Sequence, residues 1–97
     1  MTVFVAEVQG DSGWPFEDEA IAAVEAEDIE EARDFLVPAV IAMNRRLFET
    51  GAKRWDEGCP ITTREASPGE AAQWQSRRVT YRDASSHVVW LVDLGLN

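Results

Sequence analysis

The chain has 97 residues, which is the size of one small domain. Its 18 acidic and 9 basic residues give a formal net charge of −9, which disfavours direct binding to DNA, RNA or anionic lipid. A hydrophobic content of 45% is too high for a disordered acidic tail. No apolar run approaches the roughly 20 residues of a membrane span, and the first residues lack a signal-peptide pattern. With only one cysteine, no internal disulfide can form, so we expect a cytoplasmic protein.

The first part of the chain has the pattern of a two-stranded hairpin. Residues 2–8 alternate as a strand, and residues 9–18 contain two glycines and a proline, which are typical of a loop. Residues 19–26 alternate again and place Ile21 on the face opposite Ala22, although their alanines would also suit a helix. The strand interpretation is favoured, and the two strands are expected to pair antiparallel.

A long amphipathic helix is predicted next, because apolar residues recur every three or four positions over residues 29–47. Asp28 is suited to cap the start of this helix, and Gly51 is suited to end it. Pro38 removes one backbone hydrogen bond, but the apolar pattern stays in phase across it. We therefore expect one kinked helix rather than two separate helices.

The second half predicts a strand, a helix and a final strand. Residues 61–66 form the strand, and residues 67–70 have the capping-box sequence Ser-Pro-Gly-Glu that begins a helix ending near residue 83. Residues 87–94 are the most apolar run and predict a central strand. The predicted fold is α+β in the order β-β-α-β-α-β, a single domain over residues 1–97. It has one mostly antiparallel sheet with two helices packed on it.

Catalytic and metal-binding patterns are weak. His87 and Cys59 are the only histidine and cysteine, and nothing in the sequence brings this thiol and imidazole together. No residue spacing is typical of a metal site, and the glycines form no phosphate-binding loop. A small enzyme is therefore the least favoured function, and no cofactor is expected. Cys59 lies in a polar loop, where a lone thiol suits an intermolecular disulfide in a homodimer.

The chain has four tryptophans, a large number for its length. Trp74 and Trp90 fall on apolar faces and are expected in the core. Trp14 lies in a Gly-Trp-Pro-Phe loop, where it is either an interface anchor or a lid over the core. As an anchor it would indicate a protein–protein adaptor or accessory subunit that works through apolar contacts near Trp14 and the long helix.

The negative charge is concentrated in the first third of the chain. Residues 1–34 carry eleven acids and one base, a sum of −10, whereas residues 35–97 carry seven acids and eight bases, a sum of +1. Such asymmetry is typical of an interaction surface. The predicted partner-binding residues are Trp14, Glu17, Asp18, Glu19, Glu25, Glu27, Asp28, Glu30, Glu31 and Asp34.

The spacing of these acids brings like charges close together. Glu25 and Glu27 would lie about 6.5 Å apart on one strand face, and Glu30 and Asp34 about 5–6 Å apart on a helix. A fold that keeps such repulsion either uses the charge or presents a solvated face that confers solubility. If the charge is used, its density approximates that of a nucleic-acid backbone, so it would compete for a basic, nucleic-acid-binding protein surface.

In its size, its acidic face and its lack of a catalytic motif, the chain resembles the small acidic anti-CRISPR proteins encoded by phages. The resemblance rests on the acids of segments 17–19, 25 and 27–31 and on Asp34. Several of those proteins mimic DNA and occupy the basic channel of a CRISPR effector complex. The resemblance implies a stoichiometric inhibitor inside the host cell, acting as a monomer or a dimer, and it assigns no residue roles.

Overall fold

The computed structural model describes residues 1–8, 19–51, 60–77 and 87–92. These residues form β1 (Thr2–Val8), β2 (Ala20–Ala26), α1 (Ile29–Thr50), β3 (Ile61–Glu65), α2 (Pro68–Arg77) and β4 (Val89–Trp90). All strand pairs are antiparallel, and the sheet order is β3-β1-β2-β4. The predicted α+β class and element order are confirmed. The loop predicted at 9–18, the polar loop around Cys59, the continuation of the second helix to 83 and the end of the last strand lie outside the described residues.

The two helices cover opposite faces of the sheet. On one face, α1 contributes Leu36, Val40 and Leu47 to a buried cluster that also contains residues of β1, β2 and β4, and Ile61 of β3 packs against it. On the other face, Trp74 of α2 packs with Val5 of β1 and with residues of β2 and the β4 region. The sheet is therefore the middle of three layers, and its strand β2 leads directly into α1.

A β-bulge changes the faces that alternation predicted in β2. Ala6 pairs with Ala22 but Glu7 pairs with Ala20, so Ile21 is an extra residue in the ladder. Ile21 joins the same cluster as Ala22 instead of pointing to the opposite face. The alternation-based placement of Ile21 was therefore wrong, because a bulge shifts the two-residue period by one position.

The last strand lies at an edge of the sheet, which corrects the prediction of a central strand. Among the described strands, β4 pairs with β2 alone. Its apolar sequence has another cause, since both of its faces are covered. Val88, Trp90 and Val92 belong to the cluster under α1, whereas Val89 and Leu91 belong to the cluster under α2. Cover on both faces produces the same continuous apolar run as a central position does.

Both helices begin at the predicted caps. The amide of Glu31 donates to Asp28 Oδ1 at 2.8 Å. In the capping box, the amide of Glu70 donates to Ser67 Oγ at 3.2 Å, and the amide of Ser67 donates to Glu70 Oε1 at 2.9 Å. Gly51 ends α1 with a φ of 76°, a left-handed conformation that glycine adopts without steric cost.

α1 is one continuous helix that contains Pro38, as expected, rather than two helices. Pro38 is exposed, so the Asp34 carbonyl that lacks an amide partner can be hydrated. The helix continues past Arg45 and Arg46, and its last turn contains no basic residue.

The two tryptophans expected in the core are buried there. Trp74 is 8% exposed and Trp90 is 9% exposed. Three buried polar side-chain atoms have no hydrogen-bond partner: Asn44 Oδ1, Thr63 Oγ1 and Trp90 Nε1. Asn44 belongs to α1, Thr63 to β3 and Trp90 to β4, all within the described part of the chain.

Candidate acidic protein-binding surface

Six of the predicted partner-binding acids lie within residues 25–34, where β2 passes into α1. We call this segment the acidic junction, and its acids are Glu25, Glu27, Asp28, Glu30, Glu31 and Asp34. Glu19 is exposed at the opposite end of β2, about 20 Å away along the strand, so it does not belong to this group. Trp14, Glu17, Asp18 and Cys59 lie outside the described residues.

Two of the junction acids build the start of the helix. The carboxylate of Asp28 caps α1 by accepting a hydrogen bond from the Glu31 amide. The carboxylate of Glu31 in turn accepts a hydrogen bond from the Glu27 amide at 3.3 Å. Carboxylates at a helix N-terminus are stabilised by the free amides and by the helix dipole. Asp28 and Glu31 therefore have a structural role besides their charge.

Glu27 does not share a strand face with Glu25, in contrast to the prediction. β2 ends at Ala26, and Glu27 lies in the turn that leads to the helix cap. The strand ends at Ala26, where the alternating pattern also ends, and the Glu27 amide bonds to the Glu31 carboxylate rather than to a neighbouring strand. Glu25 and Glu27 nevertheless both remain exposed.

The charge of the acidic junction is not neutralised within the described structure. Glu25, Glu27, Asp28, Glu30 and Asp34 are exposed, and Glu31 is half-buried. None of the six is in an ion pair with a described residue, since both ion pairs of the described residues are made by Arg64. Six acids and Arg33 give the segment a net charge of −5 within ten residues.

Spacing keeps these charges coupled to one another. Glu30 and Asp34 are four residues apart in α1 and both are exposed, so their Cβ atoms are about 6 Å apart. This distance is shorter than the screening length of about 8 Å at physiological salt. Glu30 and Asp34 therefore act as a coupled pair of negative charges rather than as isolated carboxylates.

A second charged group was missed by sequence reasoning. Arg64 of β3 lies between Glu7 of β1 and Glu70 of α2, and we call these three residues the Arg64 cluster. Arg64 Nη2 is 2.6 Å from Glu7 Oε1, and Arg64 Nη1 is 2.6 Å from Glu70 Oε1. Glu7 and Glu70 are only 22% and 19% exposed. One signal was available in the sequence, because alternation placed a charged Glu7 on the same face as the apolar Val5.

All five N–H donors of the Arg64 guanidinium are used. Nε and Nη2 donate to Glu7 Oε1, Nη1 and Nη2 donate to the two oxygens of Glu70, and Nη1 also donates to the Glu65 carbonyl. The bonds from Arg64 lower the pKa of Glu70 to about 2, and the amide and hydroxyl of Ser67 add to this effect. The same carboxylates raise the pKa of Arg64. A guanidinium with every donor occupied has none left for a further anion.

Of the two residues of the enzyme hypothesis, the structure describes only His87. His87 is exposed, and its ring packs edge-on against Phe35 with a centroid distance of 5.1 Å. Its predicted counterpart, Cys59, lies outside the described residues. Among residues 1–8, 19–51, 60–77 and 87–92, no group of three histidines, cysteines or acids is arranged to hold a metal ion. No helix in this part of the chain has the length and apolar character needed to cross a bilayer.

Comparison with models of protein families, with curated proteins and with solved structures found no match to this chain. A function therefore has to be argued from the chemistry of the molecule's own surfaces. The acidic junction is the largest concentration of unpaired charge in the described residues. The Arg64 cluster, by contrast, has its charges satisfied internally.

Proposed function

We propose that this protein is an inhibitor that binds a basic, nucleic-acid-binding surface of another protein through its acidic junction. In its most concrete form, it is an anti-CRISPR protein that acts by mimicking DNA. The observation that carries the proposal is the exposure of five carboxylates within ten residues, none of them in an ion pair with a described residue. Such charge is available to lysines and arginines of a partner.

Electrostatics favours a partner with a basic groove. Like-charged neighbours cost an isolated helix a few tenths of a kcal/mol per pair, and a basic partner would relieve that repulsion. A double-stranded nucleic acid presents one phosphate per about 3.4 Å along each strand, so a protein groove built for it carries closely spaced positive charge. Attraction between the acidic junction and a basic groove would also raise the rate of association, and added salt would weaken this attraction.

The junction presents its charge on rigid elements, which supports a role in binding. Glu25 lies on a central strand of the sheet, whereas Glu30 and Asp34 lie on a helix that packs against that sheet. The hydrogen bonds of Asp28 and Glu31 fix the turn between them. Binding of a partner therefore costs little conformational entropy on this surface, because the carboxylates are carried by elements that are already ordered.

The alternative is an adaptor that binds through apolar contacts, and one observation favours it. Ile41 is 44% exposed and Phe48 is 64% exposed on the outer side of α1. Such an adaptor would lose its partner when these side chains are replaced, and it would tolerate charge reversal in the acidic junction. The two functions are therefore separable by substitution.

The test is competition between the protein and target DNA for guide-loaded CRISPR effector complexes of different types. We expect displacement of the DNA at stoichiometric protein concentration, and we expect it to weaken about tenfold between low and high salt. If the protein displaces DNA from none of the complexes, the anti-CRISPR assignment is wrong. An affinity pull-down with a salt series then decides the broader proposal. It fails if no captured protein binds nucleic acid.

A matched pair of variants tests whether the position of the charge matters. Glu25→Lys with Glu27→Lys changes the junction, and Glu49→Lys with Glu65→Lys changes exposed acids elsewhere. Each pair moves the net charge from −9 to −5. We expect the junction pair to weaken inhibition at least about tenfold and the control pair to leave most of it. Equal losses would show that bulk charge, rather than the acidic junction, is recognised.

A further inference from the structure

Two exposed apolar residues continue the acidic junction along α1. Pro38 and Ile41 follow Asp34 by four and seven residues, so the three side chains lie on nearly the same side of the helix. With a rise of about 1.5 Å per residue, Ile41 is about 10 Å beyond Asp34 along the helix axis. All three residues are exposed, and we call them the outer face of α1. The acidic surface therefore passes directly into an apolar one.

The hydrophobic core does not account for the apolar part of the outer face. The residues that α1 buries in the core cluster are Ala32, Leu36, Val40 and Leu47. Ile41 belongs to neither of the two clusters formed by the described residues. A single exposed isoleucine is ordinary on a protein surface, so Ile41 is informative only through its neighbours Asp34 and Pro38.

Pro38 is unfavourable for the helix that contains it. Proline lacks the amide that would bond to the Asp34 carbonyl, and it is the residue least suited to a helix interior. Because Pro38 is exposed, core packing does not explain its presence. A residue that breaks a local rule in this way is expected where it serves function rather than folding. The missing amide also leaves the Asp34 carbonyl as an acceptor, in addition to the Asp34 carboxylate, for a cation of a partner.

We propose that the partner surface bound by the acidic junction carries aromatic side chains beside its basic ones. Protein grooves for single-stranded nucleic acid have this composition, because bases stack on aromatic rings while phosphates bind lysines and arginines. The carboxylates of Glu30 and Asp34 take the place of phosphates in such a groove, and Pro38 and Ile41 take the place of bases. This inference rests on the proposed function and adds to it the kind of groove that is bound.

The apolar residues, rather than the charge, favour a single-strand groove over a duplex groove. Both kinds of groove carry closely spaced positive charge. Proteins contact duplex DNA mostly through polar and charged side chains that bind phosphates, sugars and base edges. Ile41 and Pro38 would deprive such polar groups of water without replacing their hydrogen bonds, which is unfavourable. Against an aromatic ring, by contrast, the same two side chains bury apolar surface, which is favourable.

Two basic peptides test this composition without an identified partner. The probes are short peptides of repeating Lys-Lys-Tyr and of repeating Lys-Lys-Ala, and isothermal titration calorimetry at low salt measures their affinity for the native chain. We expect the tyrosine peptide to bind at least about threefold more tightly, because its rings can pack on the outer face. Equal affinities would overturn the inference, and so would a failure of both peptides to bind.

Substitutions test whether the preference for tyrosine arises at the outer face. Ile41→Gln should abolish the preference and change the affinity for the alanine peptide less than about twofold, since all charges remain. Asp34→Asn should weaken the binding of both peptides by a similar factor. Ala72→Gln, at an exposed position of α2 on the other side of the sheet, is the control and should leave the preference unchanged. A preference that survives Ile41→Gln would show that the rings bind elsewhere and would overturn the inference.

Pro38→Ala separates a role in binding from a role in folding. The restored amide should raise the temperature of thermal unfolding, whereas the affinity for the tyrosine peptide should fall at least about twofold, because the ring and the free carbonyl are both lost. A more stable variant with native affinity would overturn the role of Pro38. These results are independent of the inhibition assay. Equal binding of the two peptides leaves a basic partner possible, whereas a failure to inhibit any effector complex leaves the tyrosine preference unchanged.

Discussion

The Arg64 cluster and the acidic junction use the same carboxylate chemistry in opposite ways. In the cluster, Glu7 and Glu70 are about four-fifths buried, and both bind one guanidinium. In the junction, five of six acids are exposed and none has a basic partner among the described residues. Burial makes a charge costly unless it is paired, whereas an exposed charge is stable in water without a partner. The exposed carboxylates of the acidic junction are therefore the ones that remain available to bind a partner.

Because of this difference, we expect the Arg64 cluster to matter for stability and the acidic junction to matter for partner binding. The Arg64 cluster joins β1, β3 and α2, which are distant in sequence, so its loss should affect the free energy of unfolding. The acidic junction contributes repulsion rather than attraction, apart from its helix cap. Substitutions there should change partner binding more than stability.

The largest effect on stability is expected from Arg64→Ala. This change leaves two mostly buried carboxylates without a cation, and we expect the free energy of unfolding to fall by about 2–3 kcal/mol. Urea denaturation measures it. Arg46→Ala is the control, because Arg46 is exposed and has no ion pair with a described residue, and it should cost less than about 0.5 kcal/mol. Equal costs would show that the cluster does not hold the elements together.

A smaller and pH-dependent effect is expected from Glu70→Gln. The pKa of Glu70 is lowered from 4.5 to about 2, so the folded state binds this proton less tightly than the unfolded state does. The stabilisation is therefore complete above about pH 4.5 and is lost as the pH falls toward 2. Glutamine keeps an oxygen for the Ser67 amide but loses the charge. We expect about 1–2 kcal/mol lower stability at neutral pH and a flatter acid profile.

Chemical denaturation at a series of pH values measures the Glu70→Gln effect. Glu65→Gln is the control, since Glu65 is an exposed neighbour whose side chain makes no ion pair within the described residues. A Glu70→Gln profile with the same acid dependence as the native chain would contradict the assigned role of Glu70.

Sequence reasoning located the features that depend on neighbouring residues. The helix starts at Asp28 and Ser67 and the helix end at Gly51 were predictable, because a cap involves residues three or four positions apart. The same holds for most of the acidic junction, whose acids are contiguous. Among these acids only the place of Glu27 was wrong, since it was put on a strand face although it lies just beyond the strand end at Ala26.

Features that depend on distant residues were not predictable. Arg64 and Glu7 are 57 residues apart, so nothing local links them. The bulge at Ile21 depends on how β1 pairs with β2, and the edge position of β4 depends on the strand order. An apolar run indicates that a strand is buried, but a strand can be buried by helices that cover its faces as well as by strands on both sides.

An effect of about 1 kcal/mol is expected from Asp28→Ala, which removes the helix cap inside the acidic junction. Asp28→Asn removes the same charge but keeps an oxygen that can accept from the Glu31 amide. Thermal unfolding should therefore show a clear loss for alanine and little change for asparagine. Equal losses would mean that the charge of Asp28, rather than its hydrogen bond, stabilises α1.

The smallest effect on stability is expected from Glu25→Gln with Glu27→Gln. Neither side chain is in an ion pair with a described residue and neither lies in α1, so neutralisation removes only repulsion. Stability should rise by a few tenths of a kcal/mol at low salt, and this gain should vanish at high salt because screening already weakens the repulsion. Urea denaturation at two salt concentrations measures it. A loss above about 1 kcal/mol would show that these carboxylates hold structure, as Glu7 and Glu70 do. The contrast between the two groups of acids would then disappear, and with it the reason for assigning the acidic junction to a partner.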